Sequence, residues 1–385
     1  MEGSHVKEEQ LELVDVIHVE GMGNGVFARK HFSEGDVVMS ERPSVVLELS
    51  YAKDELAKKV NNFLRRSACE EAKLSCAFQW TLWLCHFFQL PEALRNRIET
   101  EVYSPREDDG VAGVIQSETF SDADKFSHFL SDFCSSSFTA LMDLPELEAV
   151  LDVDAARLKR LMLLYICNFH QYQGKAALFL KCCKLNHSCR DANTKYVVDC
   201  SGLALHVALR DISPGEQILT DYLQGIPFMS THERRKKLLE TKLFTCMCSA
   251  CLSEDDLRLL PCTSRGDEGE ACQGSCSCRD GRWMCKECGR EEEVETFLSQ
   301  QFLRLCGLGL AEASNKSRAE MAEEFLKVEE RMVKESYSKI FWSVEEMGKK
   351  HAHFSSALGR QHPAARRMEW NVERTMAETS VTVGG

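Results

Sequence analysis

What this sequence lacks narrows its class before any motif is read. No apolar run reaches the ~20 residues that a bilayer-spanning helix needs, so no membrane partner is expected. The opening residues, Met1-Glu2-Gly3-Ser4-His5-Val6-Lys7-Glu8-Glu9, lack the apolar stretch of a secretory signal. The expected location is therefore the cytoplasm or the nucleus, where thiols stay reduced. Positive charge is not in excess either: 47 Lys and Arg face 60 Asp and Glu, a net charge of −13. Phosphate backbones are gripped by clustered cations, so direct nucleic-acid binding is not expected. An acidic field suits a basic protein partner, such as a lysine-rich tail. No internal repeat is evident. With 44% hydrophobic and 28% charged residues the chain is nonetheless an ordinary globular one, and 385 residues suffice for two or three packed units at ~150 residues each.

Against these absences stand nineteen cysteines. A reducing compartment disfavours disulfides, which leaves metal binding as the usual reason for so many thiols. Cys246-x-Cys248-x-x-Cys251 brings three thiols within reach of one tetrahedral ion, and zinc suits that ligand set. The fourth ligand must arrive from elsewhere in the chain. A second set follows: Cys262, Cys272, Cys276, Cys278, Cys285 and Cys288. Cys285-x-x-Cys288-Gly289 has the knuckle form of a zinc ribbon, which Cys262 with Cys272 or Cys276 could complete. Six candidates for four places leave the choice open; Cys262, Cys272, Cys285 and Cys288 are the set carried forward.

The patterning predicts an α+β chain. Residues 11–49 alternate apolar and polar around glycines, as in Val26-Phe27-Ala28 and Val37-Val38-Met39, and read as short strands joined by turns. Helical spacing follows from about 52 to 102, with the bulky block Trp80-Thr81-Leu82-Trp83-Leu84 expected to pack inside. Ser104 to Asp122 reads as a surface loop, and 123–175 as helix again. Strands return at Lys195–Val198, Leu203–Ala208 and Gln217–Tyr222, the last after the turn Ser213-Pro214-Gly215-Glu216. Thr231–Leu243 is a charged helix whose Glu233-Arg234-Arg235-Lys236-Lys237 run is expected to be a solvated face. Met321, Phe325, Val328, Met332, Ile340, Val344 and Met347 mark an amphipathic helix or a pair of them.

Two short segments mean little alone. Gly21-Met22-Gly23-Asn24-Gly25-Val26-Phe27-Ala28 is a glycine-rich turn that lets a ligand approach the backbone. It lacks the following helix of a dinucleotide site, so that reading fails. Asn186-His187-Ser188-Cys189 could be any polar loop. Their order is more informative: a glycine turn, then Asn-His-Ser-Cys, then Gly215-Glu216 with Tyr222 beyond, then Phe244-x-Cys246-x-Cys248-x-x-Cys251. This order resembles the SET-domain lysine methyltransferases, and most of all their SMYD branch, whose SET domain is split by a helical insert. Leu358-Gly359-Arg360-Gln361-His362-Pro363 also looks like a motif of that branch's C-terminal helices.

The resemblance implies a β-rich SET domain (11–49 and 176–243) split by a helical insert (50–175). A cysteine-rich, zinc-binding post-SET region (244–290) and a helical C-terminal region (291–385) follow. It implies a protein-lysine N-methyltransferase that uses S-adenosylmethionine on a histone or non-histone protein, with a zinc-stabilised, inactive scaffold as the alternative. Met22, Gly23, Asn24, Asn186, His187 and Phe244 are the implied cofactor contacts, with His128 and Asn168 as further candidates. Cys189 is the implied fourth ligand beside Cys246, Cys248 and Cys251. Tyr222 is the implied catalytic residue, placed where methyl and amine meet and contacting both. A free lysine amine is charged at neutral pH, so an apolar, aromatic-lined channel would be needed to favour its neutral form. The chain departs from the branch in three ways. The MYND zinc finger is absent, since Cys69, Cys76, Cys85 and Cys134 do not form its pattern. The usual x-Pro-Asn after Asn-His-Ser-Cys is replaced by Arg190-Asp191-Ala192-Asn193, and the C-terminal region is shorter than in the longer members.

Overall fold

The computed structural model describes residues 13–382, except 20–22, 68–75, 106–116, 137–140, 142, 224–227, 254, 256, 265–269, 280–281, 308–315 and 337–343. It falls into two compact units, Met1–Gln224 with Arg235–Cys246, and Gly225–Arg234 with Met247–Gly385.

Among the described residues the first unit carries ten strands: β1 Val14–Val19, β2 Gly23–Ala28, β3 Val37–Glu41, β4 Val45–Leu47, β5 His170–Tyr172, β6 Lys175–Leu178, β7 Asn186–His187, β8 Thr194–Val198, β9 Ala204–Ala208 and β10 Gln217–Thr220. Seven form one sheet in the order β1-β2-β10-β8-β9-β3, with β7 also paired to β10; β4-β6-β5 form a second sheet. Strict alternation of buried and half-buried residues along β9 gives the sheet one apolar face. Val26, Phe32, Val38, Phe179, Ile212 and Ile218 pack on it. The turn before β10 closes on itself: Glu216 N–H donates to the Ser213 carbonyl, and the Glu216 carboxylate accepts from Ser213 N–H, both at 3.0 Å.

Between β4 and β5 lie helices Glu55–Arg66, Ala77–Gln89, Glu92–Glu101, Glu118–Ser136 and Ala155–Asn168. Asp54 and Asp154 begin two of them by accepting from Ala57 and Arg157 N–H at 2.8 Å, caps worth ~1 kcal/mol each. The Trp80–Phe87 block is the core of this helical body. Trp80, Trp83, Leu84 and Phe87 are fully buried, and Trp83 Nε1 donates to the Leu161 carbonyl at 2.8 Å. Helix Glu118–Ser136 starts inside the segment read as a loop, because the Ser117 hydroxyl accepts from Phe120 N–H at 3.2 Å and caps its first turn. A further difference is that the segment read as helix to 175 ends at Asn168, and His170–Tyr172 turns into β5.

The second unit pairs the four-stranded sheet β11 Leu260–Pro261, β12 Ser275–Arg279, β13 Arg282–Cys285 and β14 Glu291–Glu293 with helices Val294–Cys306, Arg318–Ser336, Val344–Leu358 and Pro363–Thr382. Trp283 stacks on Phe297 with ring centroids 4.6 Å apart, above a core that includes Phe325, Phe354, Leu358 and Met368. The Leu358–Pro363 motif is the corner between the last two helices. Its buried His362 meets Glu329 at 2.9 Å, and Arg258 grips the same carboxylate at 2.9 and 2.7 Å. Among the described residues, no helix is long and apolar enough to cross a membrane.

Candidate active site and cysteine clusters

β10 ends at Thr220, so Tyr222 sits in the turn just beyond it rather than in the strand. Parallel β7 places Asn186 against Leu219 and His187 against Thr220. The two segments are then tied through a side chain: Tyr222 N–H donates to His187 Nδ1 at 3.0 Å. An accepting Nδ1 leaves the proton on Nε2, which lies 3.0 Å from Cys189 Sγ. The Tyr222 hydroxyl donates to the Leu185 carbonyl. Phe244 completes the aromatic group, its ring 6.2 Å from that of Tyr222 and 6.1 Å from that of His187. Burial raises the Tyr222 hydroxyl well above the ordinary phenol range, with the Cys183 and Cys167 thiols adding to it. Tyr222 therefore stays a neutral phenol that orients by hydrogen bonds and does not serve as a base at neutral pH.

Asn186 bears on whether a ligand fits here. Its Nδ2 is buried and has no hydrogen-bond partner. Buried amide donors are nearly always paired, so an orphan on the strand that carries His187 marks a place for an acceptor from outside the chain. Gly23, at φ 74°, holds a left-handed conformation that a side chain would strain. Asn24 follows it and pairs with His18 across β1 and β2. Met22 lies outside the described residues. Asn168 has committed both amide hydrogens, to the Tyr103 and Leu164 carbonyls at 2.7 and 2.8 Å, and keeps only its oxygen for a ligand. His128 is exposed and lines a cavity of about 330 Å³ with Phe120, Asp124 and Lys159, a lining that includes neither Tyr222 nor Asn186.

The loop after Asn186-His187 is pinned by hydrogen bonds despite its missing proline. Asn193 is fully buried. Its amide donates to Glu216 Oε1 at 3.1 Å and to the Gln217 carbonyl at 2.9 Å, and its oxygen accepts from Leu219 N–H at 2.8 Å. A late asparagine thus clasps the turn before β10 to the strand that leads to Tyr222.

The sulfurs of Cys189, Cys246, Cys248 and Cys251 all lie within 4.8 Å of one another, as do those of Cys262, Cys272, Cys285 and Cys288. Four thiols at that spacing suit a tetrahedral ion. In the second group Gly274 and Cys288 N–H donate to Cys272 and Cys285 Sγ at 3.3 and 3.5 Å. Gly274 admits no side chain: a Cβ there would lie 2.7 Å from Cys285 Sγ. Cys276 and Cys278, on β12, pair across the sheet with Cys285 and Trp283 and belong to neither four-sulfur group.

The basic run of helix Thr231–Lys242 is only in part the solvated face expected of it: Lys236 is exposed, but its two arginines are engaged. Arg235 Nε donates to the Cys246 carbonyl at 3.1 Å. Arg234 donates to the Met229 and Ala250 carbonyls at 2.6 and 3.1 Å. These arginines satisfy backbone oxygens beside the cysteines, a use that a charge count along the sequence does not reveal.

Residues 23–223, just over half of the chain, match the SET domain family model. Among curated proteins, the mouse protein-lysine N-trimethyltransferase SMYD5 is 41% identical over 91 residues, 23% of this chain and 21% of that one. The human histone-lysine N-methyltransferase SMYD3 is 37% identical over 90 residues, 23% of this chain and 20% of that one. The chain thus spans about a fifth of the length of these relatives. Of solved structures, the SET domain of LSMT bound to lysine and AdoHcy aligns over 97% of this chain and 89% of that one, at 12% identity and a TM-score of 0.35.

Proposed function

Because this chain belongs to the SET-domain family, matched over residues 23–223, we propose that it is a protein-lysine N-methyltransferase. In this reading it uses S-adenosylmethionine, acts on a lysine of a histone or non-histone protein in the cytoplasm or nucleus, and holds two structural zinc ions. Residues 11–49 and 176–243 form the catalytic domain, 50–175 its insert, 244–290 the zinc-binding region and 291–385 a helical tail. The observation that carries the reading is the aromatic group of Tyr222, His187 and Phe244, with the unpartnered Asn186 Nδ2 on the strand that bears His187.

When bound, S-adenosylmethionine supplies an electrophilic sulfonium methyl. Asn186 Nδ2 would donate to it, the ring of Phe244 would offer a face for its adenine, and Met22, Gly23 and Asn24 would hold it through backbone and side-chain contacts. Tyr222 would touch the reacting groups and orient the acceptor amine toward the methyl. Its hydroxyl is held by the Leu185 carbonyl and its backbone by His187, so the ring does not have to be ordered during the reaction. Aromatic surroundings attract the cationic sulfonium and, by excluding water, favour the neutral form of the attacking amine. Cys189, Cys246, Cys248 and Cys251 bind one zinc and Cys262, Cys272, Cys285 and Cys288 the other. The first ion would tether the loop bearing Asn186 and His187 to the segment bearing Phe244.

The test is transfer of labelled methyl from S-adenosylmethionine into histones and whole-cell lysate, with zinc content measured on the same samples. Wild type is expected to label lysine, and Tyr222→Phe to do so at least ~10²-fold more slowly, as expected when a positioning contact in the transition state is lost. Folded, zinc-loaded, cofactor-binding protein that labels nothing would point instead to a scaffold that binds partners without transferring methyl groups.

A further inference from the structure

The charged helix Thr231–Lys242 ends by delivering a lysine amine to the candidate catalytic tyrosine. Lys242 Nζ lies 5.6 Å from the centroid of the Tyr222 ring and donates to the Cys167 carbonyl at 3.0 Å. A lysine at a helix end ordinarily reaches water or a carboxylate. Lys242 is half-buried instead, and among the described residues no carboxylate lies within ion-pair distance of it. The titratable groups around it are the Cys167 thiol, the His170 imidazole and the Tyr222 phenol, none of which carries a negative charge at neutral pH. Burial accordingly lowers the Lys242 pKa, opposed only by the Cys167 thiol. Burial likewise pushes His170 down to about 3, with Lys242 adding to the effect.

The backbone fixes this placement. Leu243 is fully buried at φ 58°, a left-handed conformation that a bulky residue adopts only when packing demands it. It turns the chain so that Lys242 and Phe244, on either side of it, both meet the Tyr222 ring. The site therefore contains an amine of its own, on an aromatic face, hydrogen-bonded once and without a counter-charge.

We propose that Lys242 is itself a methyl acceptor, modified in cis at the Tyr222 site of the S-adenosylmethionine-loaded chain. The inference rests on the methyltransferase reading above. Rotation about the flexible stem of Lys242 carries Nζ from the ring face to the hydroxyl edge. The Nζ lone pair forms the new N–C bond as the S–CH3 bond breaks. The bonding pair returns to sulfur, leaving the neutral thioether, and the amine proton passes to solvent water. No other protein is needed, and the tethered amine has the high effective concentration of an intramolecular reactant.

Two readouts test this. In the protein without cofactor, trace acetylation with acetic anhydride should titrate Lys242 at lower pH than the exposed Lys195, and S-adenosylhomocysteine should suppress labelling of Lys242 at least several-fold. Incubation with S-adenosylmethionine alone should then add one methyl group at Lys242, located by peptide mass mapping, at a first-order rate independent of protein concentration. Lys242→Arg should lose that mark and Tyr222→Phe should slow it at least tenfold, both checked for folding by thermal melting. Lysate proteins methylated while Lys242 stays unmodified would overturn the inference and leave the methyltransferase reading standing. Neither Lys242 nor lysate protein labelled, in protein that binds cofactor, would overturn both. Lys242 acetylation that titrates like Lys195 and ignores S-adenosylhomocysteine would overturn the placement itself.

Discussion

Asn186 and Asn193 offer a paired test of where this molecule keeps an unmet hydrogen bond. They have the same side chain and lie seven positions apart, but their surroundings predict opposite consequences on replacement by alanine. Asn193 makes three side-chain hydrogen bonds, to Glu216, Gln217 and Leu219, at complete burial. Removing it strands the Leu219 N–H and the Gln217 carbonyl, each costing ~1–3 kcal/mol when left unpaired. Asn193→Ala should therefore lose about 3 kcal/mol of stability. Asn186 Nδ2 has no partner to lose, and the free protein already bears the ~1–3 kcal/mol of an unpaired donor. Asn186→Ala relieves that cost while giving up some packing, so its stability should stay within about 1 kcal/mol of wild type or rise. Its deficit should appear on ligand binding, where one lost hydrogen bond worth about 1.4 kcal/mol weakens affinity about tenfold. Urea denaturation of the free protein and calorimetric titration with S-adenosylmethionine measure the two quantities on the same samples. If Asn186→Ala lost as much stability as Asn193→Ala, or bound S-adenosylmethionine normally, the amide would be structural and would not contact the ligand.

Other outcomes follow from the clusters and from the buried carboxylate. Cys285→Ser should lower bound zinc from about two ions per chain to about one and destabilise the second unit, whereas Cys278→Ser should leave the zinc content unchanged; elemental analysis of purified protein decides. Glu329→Ala strands Arg258 and His362 and should cost about 3–5 kcal/mol, read from urea denaturation. The Glu329 carboxyl is held far below the usual carboxylate range: burial would raise it, but the charge and hydrogen bonds of Arg258 and His362 outweigh that. A depressed folded value gives stability that is complete above the unfolded carboxyl pKa of ~4.3 and is lost as pH falls through the folded one. The stability gap between wild type and Glu329→Gln should therefore narrow on acidification below about pH 4; a gap that widened would contradict the assignment of the shift.

The parts of this protein that sequence could disclose are those where chemistry imposes a spacing. A tetrahedral ion forces cysteines into short local runs, so Cys246, Cys248 and Cys251 could be read directly, and the ordered motifs led to Cys189, Asn186 and Tyr222. Where six cysteines competed for four places, spacing had no more to give. The decision rests on which four sulfurs the fold gathers within 4.8 Å of one another, those of Cys262, Cys272, Cys285 and Cys288, and on the close approach of Gly274 to Cys285 Sγ, neither of which has a local signature. The same limit explains the basic run: Arg234 and Arg235 look like any solvated charges until the fold brings backbone carbonyls to them. Lys242 shows the limit most sharply. In the sequence it is one more cation at the end of a charged helix, where the helix dipole alone would justify it. Only the left-handed Leu243 and the return of the chain past Tyr222 convert that helix-end charge into an amine inside the site. What sequence carries well is therefore the inventory of reactive groups that must sit close along the chain. Groups that become reactive because of what packs against them have to be read from the fold.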